Sequence, residues 1–359
     1  MSGRAGPRRL RRAAALAAAT ALLVGLQVAA PAAACACGGA APPIDGGEVS
    51  VDREVAMVRW DGGLEEIVMQ LALTADTGNT GLVVPTPNPA TVTLAEPELF
   101  DQLVAAIAPK VVVEYDWWGG FGVGSTGGAP DGAGAPVILS QVQLGPIEAT
   151  TLAADDTAGL QLWLDENGYA LPEPVSAQLA PYVEEGWSFV ALKLTSDEAF
   201  DGELDPIRFT FESDELVYPM RMSAAATTEQ TVRLYVLDEH RVDVTDGDGG
   251  ALAVTPFVVW AGPVEDPDLV ELGAYLTAIE LSFYDPASQI TSDLHLAQSD
   301  SDETVIPTRT ETEIVQVAGI PVGWLIVVLA VLIVIVGIVV LGVVLGRRAT
   351  RRGASTPYS

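Results

Sequence analysis

The sequence predicts an α+β fold, built mainly from antiparallel strands with a few short helices, followed by one transmembrane helix near the C-terminus. Short β-branched runs bounded by Gly, Pro and Asp recur along most of the chain, which is typical of strands joined by tight turns. Helical periodicity is confined to brief stretches that end at Pro or Gly. A single long apolar run, residues 320–345, carries no charge. Strands and helices that are not strictly alternating favour α+β over α/β architecture.

The first 34 residues have the three parts of a secretory signal peptide. A basic start that includes Arg8 and Arg9 precedes an Ala-rich apolar run, 13–30, and small residues lead up to Ala34. We expect cleavage after Ala34 or Ala36. The paired arginines leave the Sec and Tat routes both open, and a poor lipobox leaves lipidation of Cys35 open.

The apolar run predicts a transmembrane helix over 319–346. At about 1.5 Å per residue it is long enough to cross a hydrocarbon core of about 30 Å, and Trp324 is placed like an interfacial anchor. Arg347 and Arg348 open a basic tail, 347–359, which predicts that the C-terminus is cytoplasmic and that the N-terminal domain is outside.

The distribution of charge separates the same part of the chain, 35–318, from the signal peptide and the tail. All 48 acidic residues but only nine of the 18 basic ones lie within 35–318, which gives this part a net charge of −39. Such a surface repels phosphate backbones, so we predict no nucleic-acid partner. It favours cations and basic partners.

The elements follow in order along the expected extracytoplasmic domain, 35–298. Strands are predicted at 48–59, 64–74, 81–85, 111–115, 137–144, 147–152, 187–194, 207–211, 231–237, 252–260 and 278–284. Helices are predicted from Pro97 to before Pro109, up to Asn167, around Pro181 and at 268–276. Residues 117–136 are Gly-rich and predict a flexible loop, and 299–318 are polar and predict a stalk.

An ordered series of short motifs resembles the DUF2330 family of bacterial exported proteins. The motifs are Cys37-Gly38-Gly39, Val83-Val84-Pro85-Thr86-Pro87, Asn167-Gly168-Tyr169-Ala170-Leu171-Pro172, Gly186-Trp187-Ser188-Phe189 and Val217-Tyr218-Pro219-Met220-Arg221. The resemblance spans 35–296. It implies an exported protein without an assigned activity or assigned catalytic residues. Many members carry further cysteines after the first Cys-Gly-Gly, whereas this chain has none.

Cysteine and histidine are scarce. Cys35 and Cys37 are the only cysteines, and an i,i+2 pair rarely forms an unstrained disulfide. Processing or lipidation, a disulfide or an intermolecular link, weak metal binding and no role all stay open for them. His240 and His295 are the only histidines, and no Gly-x-Ser-x-Gly elbow accompanies them. A surface or core position is expected for both.

Three other patterns invite a functional interpretation. The G-x-G-x-x-G at 122–127 lacks the following helix that a dinucleotide site requires, so we expect no cofactor there. Trp117 and Trp118 either anchor a strand end or contact a partner. Asp243, Asp246 and Asp248 form either a plain acidic turn or a weak Ca²⁺ site, because their spacing is not that of an EF-hand.

Together these features predict a single-pass envelope protein without enzymatic activity, which binds an unidentified envelope protein, a glycan or a cation. The alternative is an envelope hydrolase that uses paired carboxylates, since suitable acids are abundant.

Overall fold

The computed structural model describes residues 34–35, 38–119, 148–152, 157–247 and 249–353. The chain divides into two compact units: a main unit with its described elements within 34–107 and 148–305, and a smaller unit within 108–119 and 306–353. The predicted strand at 137–144, the predicted motif at 122–127 and the predicted signal peptide, apart from Ala34, lie outside the described residues.

Strands dominate the described chain, at 43% of residues, as predicted. They are β1 (Ala34–Cys35), β2 (Gly38–Ala41), β3 (Val49–Trp60), β4 (Leu64–Ala75), β5 (Asn79–Thr86), β6 (Thr91–Leu94), β7 (Lys110–Asp116), β8 (Glu148–Leu152), β9 (Ser188–Thr195), β10 (Asp201–Glu203), β11 (Ile207–Glu212), β12 (Leu216–Tyr218), β13 (Gln230–Asp238), β14 (Val242–Thr245), β15 (Phe257–Pro263), β16 (Tyr275–Phe283), β17 (Leu294–Gln298), β18 (Thr308–Ile314), β19 (Gln316–Val317) and β20 (Ile320–Pro321).

The helices are short except for the last one. They are α1 (Leu99–Ala106), α2 (Thr157–Asn167), α3 (Glu173–Ala177), α4 (Leu179–Glu184), α5 (Pro267–Val270), α6 (Pro286–Gln289) and α7 (Val322–Gly353), with a 3-10 helix at Arg221–Ala225.

The main unit is organised around an eight-stranded sheet in the order β15-β16-β13-β3-β4-β11-β6, with β10 also paired to β4. Its longest hairpin joins β3 to β4 at the turn Asp61-Gly62-Gly63, where Asp61 accepts backbone hydrogen bonds from Gly63 and Leu64. Gly62 lies there at φ +91°, a backbone conformation that residues with a Cβ atom rarely adopt. Only the β13–β3 pair is parallel in this sheet, so the predicted antiparallel character is confirmed.

Two smaller sheets complete the main unit. The five-stranded sheet has the order β1-β2-β5-β9-β8, and the three-stranded sheet has the order β12-β17-β14. A common core joins both to the large sheet: Ile67 and Met69 of β4 belong to the same buried cluster as Leu82 of β5 and Val190 of β9. Alternate residues of each strand therefore face this shared core.

The opposite faces of the two larger sheets are covered by helices. Leu160 and Leu164 of α2 pack with Phe189 and Ala191 of β9, whereas Leu103 of α1 packs with the other face of the large sheet. The main unit therefore has four layers, helix–sheet–sheet–helix, and the central strands of the two larger sheets have buried residues on both faces.

Several predicted boundaries need correction. The predicted helix at 268–276 is only the short α5, because Tyr275 already begins β16 and pairs with Asp238. The predicted strand at 252–260 begins at Phe257, since the residues before it form bends and irregular backbone. The helix around Pro181 is two helices, α3 and α4, with Pro181 in the first turn of the second, where a missing N–H costs little.

The smaller unit holds the long apolar helix and two strand pairs. The predicted strand around residues 111–115 is present as β7. It pairs in parallel with β18, which lies inside the segment predicted as a polar stalk. α7 includes a span, Val322–Arg348, that is long and apolar enough to cross a membrane.

Candidate functional site

A cleft of about 960 Å³ opens at one end of the main unit. Six chain segments line it: the β3–β4 turn, the β11–β12 connection, the residues that follow β13, β14 and its turn, the residues after α5, and β17. The chain segments that meet here are far apart in sequence. Trp60 contributes an aromatic side chain whose Nε1 donates to the carbonyl oxygen of Ser213 at 2.9 Å.

The lining of this cleft is strongly acidic. Seven carboxylates and one arginine, Arg59, line it; the carboxylates are Asp61, Asp214, Glu215, Asp238, Glu239, Asp246 and Glu271. Both histidines of the chain, His240 and His295, also line it. The cleft therefore carries a locally negative potential that favours a cationic ligand.

The imidazole of His295 contacts a carboxylate on one side and the backbone of a glycine on the other. Its Nδ1 lies 3.1 Å from Oε2 of Glu215. Its Nε2 lies beside Gly247, where a Cβ atom would come within 3.3 Å of that nitrogen. The turn after β14 can approach the imidazole closely because residue 247 has no side chain.

His240 is held by a second carboxylate. Its Nδ1 lies 2.9 Å from Oδ2 of Asp302, and Oδ1 of Asp302 accepts the backbone N–H of Arg241 at 2.9 Å. The hydrogen bond to Asp302 raises the pKa of His240, and nearby Glu239 and Asp238 raise it further. Protonation of His240 would make the cleft less negative as the pH falls.

Two of the three predicted calcium ligands, Asp243 and Asp246, lie within the described residues, and each has another partner there. Asp246 accepts the backbone N–H of Gly250 and closes its own turn. Asp243 lies 4.0 Å from Arg241 across an ion pair, and Asp248 lies outside the described residues. Within the described ranges, no group of three or more His, Cys, Asp or Glu side chains is arranged to hold a metal ion.

The comparison with known families decides the family membership. The family described as an uncharacterized protein conserved in bacteria, DUF2330, matches residues 31–297. The chain belongs to the DUF2330 family. The predicted resemblance over 35–296 is therefore confirmed, and the matched region includes nearly every residue that lines the cleft.

Other comparisons add little to the DUF2330 assignment. No curated protein matches the chain. Among solved structures, the chain is similar to the crystal structure of baculovirus P35, at 10% identity and a TM-score of 0.38, over 74% of this chain and 98% of that one.

None of the remaining predicted site residues that the structure describes in this DUF2330 chain is among the residues that line the cleft. Ala34 and Cys35 form the short strand β1, and Cys37 lies outside the described residues. Trp117 and Trp118 follow β7 in the smaller unit, each 50% exposed. Neither side chain is fully buried, and a contact with a partner stays a prediction.

One buried carboxyl near the cleft, that of Glu65, was not predicted from the sequence. Glu65 of β4 is fully buried, and its Oε1 accepts the backbone N–H of Val217 at 3.2 Å. Burial raises its pKa well above the ordinary value, and the Val217 hydrogen bond opposes this shift only in part. Glu65 is not among the residues that line the cleft.

Proposed function

We propose that this DUF2330 protein is a membrane-anchored, non-enzymatic binding protein of the cell envelope, whose main unit lies outside the cytoplasm and binds a basic segment of an envelope protein in the acidic cleft. The observation that carries the proposal is the convergence of seven carboxylates and both histidines on one cleft from six separate segments of the chain.

The size of the cleft supports a ligand larger than a metal ion. At about 960 Å³ it lies near the upper end of the range of small-molecule and peptide sites, roughly 300–1,000 Å³. Trp60 offers an apolar and aromatic surface beside the carboxylates, which suits the long side chains of lysine and arginine.

The anchoring supports an envelope location. The span Val322–Arg348 ends at Arg347 and Arg348, and basic residues next to a transmembrane helix favour the cytoplasmic side. With the tail inside, the main unit lies outside. The N-terminal signal peptide predicted over 1–34 supports the same orientation.

The buried carboxyl of Glu65 is a candidate general acid for the hydrolase alternative only if a substrate can reach it. A general acid with a raised pKa must come within hydrogen-bond reach of the bond it protonates. Glu65 is the described carboxyl whose pKa is raised well above its ordinary value, yet its side chain is fully buried. Its raised pKa therefore follows from the core and gives no support to the hydrolase alternative.

Titration calorimetry with a short oligolysine peptide tests this proposal on the full-length protein in nanodiscs. The cleft variant is Asp214→Asn/Glu239→Gln/Glu271→Gln, since all three side chains are exposed in the cleft lining. The matched control is Asp197→Asn/Glu229→Gln/Asp300→Asn, which removes the same charge from exposed acids outside the lining.

We expect the cleft variant to bind oligolysine at least about tenfold more weakly than the control variant. Salt screens charges that lie more than a Debye length from the bound peptide, so removing carboxylates that touch the peptide should weaken binding more than removing distant ones. Equal weakening in the two variants would show that the peptide responds to net charge alone, and it would contradict the cleft as the binding site.

A further inference from the structure

The tryptophan pair after β7 is fixed against the first turn of the long apolar helix. The backbone N–H of Gly323, the second residue of α7, donates to the carbonyl oxygen of Trp117 at 2.7 Å. The indole of Trp118 covers Gly323, where a Cβ atom would lie 2.5 Å from Cε3 and 2.6 Å from Cδ2. Only glycine at 323 permits this approach.

The turn that carries the pair is held by its own strand. Oδ1 of Asp116 accepts the backbone N–H groups of Trp118 at 2.8 Å and Gly119 at 3.1 Å. Despite these contacts, half of each tryptophan side chain remains exposed. The backbone of the pair is therefore fixed, and both side chains present apolar surface that the described part of the smaller unit does not cover.

In a membrane, the length of α7 places the turn that carries Trp117 and Trp118 at the depth of the membrane interface. The 27-residue span Val322–Arg348 is about 40 Å long at a rise of about 1.5 Å per residue. This exceeds a hydrocarbon core of about 30 Å, so both ends reach the interfacial region. Trp324 lies at the same end as Trp117 and Trp118, and tryptophan is enriched at this depth because its ring is apolar and its N–H is polar.

We propose that Trp117 and Trp118 are embedded in the phospholipid interface of the outer leaflet and form, with Trp324, a three-tryptophan membrane anchor drawn from two distant parts of the sequence. The inference rests on the proposed function in one respect, that α7 spans a membrane. It assigns to the pair a lipid contact in place of the protein or glycan contact that the sequence left open.

Quenching of tryptophan fluorescence by brominated phosphatidylcholine tests the proposal on the full-length protein in proteoliposomes. Three forms are compared: the natural sequence, Trp324→Phe, and Trp324→Phe/Trp117→Phe/Trp118→Phe. The four other tryptophans, which are Trp60, Trp163, Trp187 and Trp260, are common to all three forms and supply a constant background. Circular dichroism of each form checks that the fold is kept.

The first comparison tests the anchoring by α7, and the second tests the inference. Greater quenching of the natural sequence than of Trp324→Phe reports that α7 is inserted. Greater quenching of Trp324→Phe than of the triple variant reports that the pair contacts lipid, and bromines near the head group should then quench the Trp324→Phe protein more than bromines near the chain end. Equal quenching of Trp324→Phe and the triple variant, with α7 inserted, would overturn the inference and point to a protein or a second copy covering the pair.

Discussion

The phenolic hydroxyl of Tyr182 donates a hydrogen bond to Oδ1 of Asp293 at 2.6 Å, and both side chains are buried. Asp293 also accepts the backbone N–H of Met220 at 2.7 Å and the Nε–H of Arg221 at 2.7 Å. The guanidinium of Arg221 lies 4.1 Å from the centre of the Tyr182 ring and pairs with Glu185. This network ties α4, the 3-10 helix and the segment before β17 together.

Replacing Asp293 by alanine should destabilise the main unit by about 3–5 kcal/mol, because it leaves the buried hydroxyl of Tyr182, the backbone N–H of Met220 and the Nε–H of Arg221 without their shared acceptor. Chemical denaturation followed by tryptophan fluorescence measures the effect. Asp300→Ala is the matched control, since Asp300 is exposed, and it should change stability little. A loss below about 1 kcal/mol in Asp293→Ala would contradict the structural role of the network.

Replacing Glu65 by glutamine should stabilise the main unit at neutral pH and flatten its dependence on pH. Burial raises the pKa of Glu65 in the folded state, so the folded form keeps the proton after the unfolded form has lost it. Its stabilising contribution is therefore complete below the unfolded pKa of about 4.3 and is lost as the pH rises through the folded pKa.

Denaturant midpoints from pH ~4 to ~8 compare the natural sequence with Glu65→Gln and with the exposed-site control Glu212→Gln. We expect the difference between Glu65→Gln and the natural sequence to grow with pH, and the control to run parallel to the natural sequence. Parallel curves for all three would mean that Glu65 is ionised in the folded state.

Much of the architecture is predictable because its signals are local. The hairpin at Asp61-Gly62-Gly63, the strand at 207–211 and the uncharged run at 320–345 each follow from turn chemistry or hydrophobic pattern within a few residues. The predicted boundaries near Leu252 and Tyr275 are wrong because the signals there are not local. Apolar residues there fit two patterns, and tertiary pairing with β13 and β16 decides between them.

The cleft and the tryptophan contact were not predictable from spacing. His240 and His295 approach one cleft only because β14 and β17 pair in one small sheet, a pairing of long sequence separation. The contact of Trp118 with Gly323 likewise joins residues that are separated in sequence by the second part of the main unit, 148–305. The Cys35–Cys37 and Asp243–Asp248 patterns are candidates because their residues are close in sequence. Short spacing in the sequence does not determine the distances between side chains.

Calcium should raise the melting temperature no more than sodium chloride of equal ionic strength. The net charge of −39 over 35–318 makes the compact state self-repelling at low salt, and both salts screen it, with a Debye length of about 8 Å at 0.15 M. Asp246 already accepts a backbone hydrogen bond in its turn. Differential scanning fluorimetry of the natural sequence and Asp246→Asn checks this, and an added rise in calcium that Asp246→Asn abolishes would instead indicate a calcium site.

The orientation of the chain is the central claim, because an outward-facing cleft requires it. Protease added to intact protoplasts that express the protein with a C-terminal tag should remove the main unit and leave a tagged fragment that contains α7 and the basic tail. Permeabilised protoplasts serve as the control, since the tag should then be digested as well. Loss of the tag from intact protoplasts, or full protection of the main unit, would place the domain on the other side of the membrane and contradict the account.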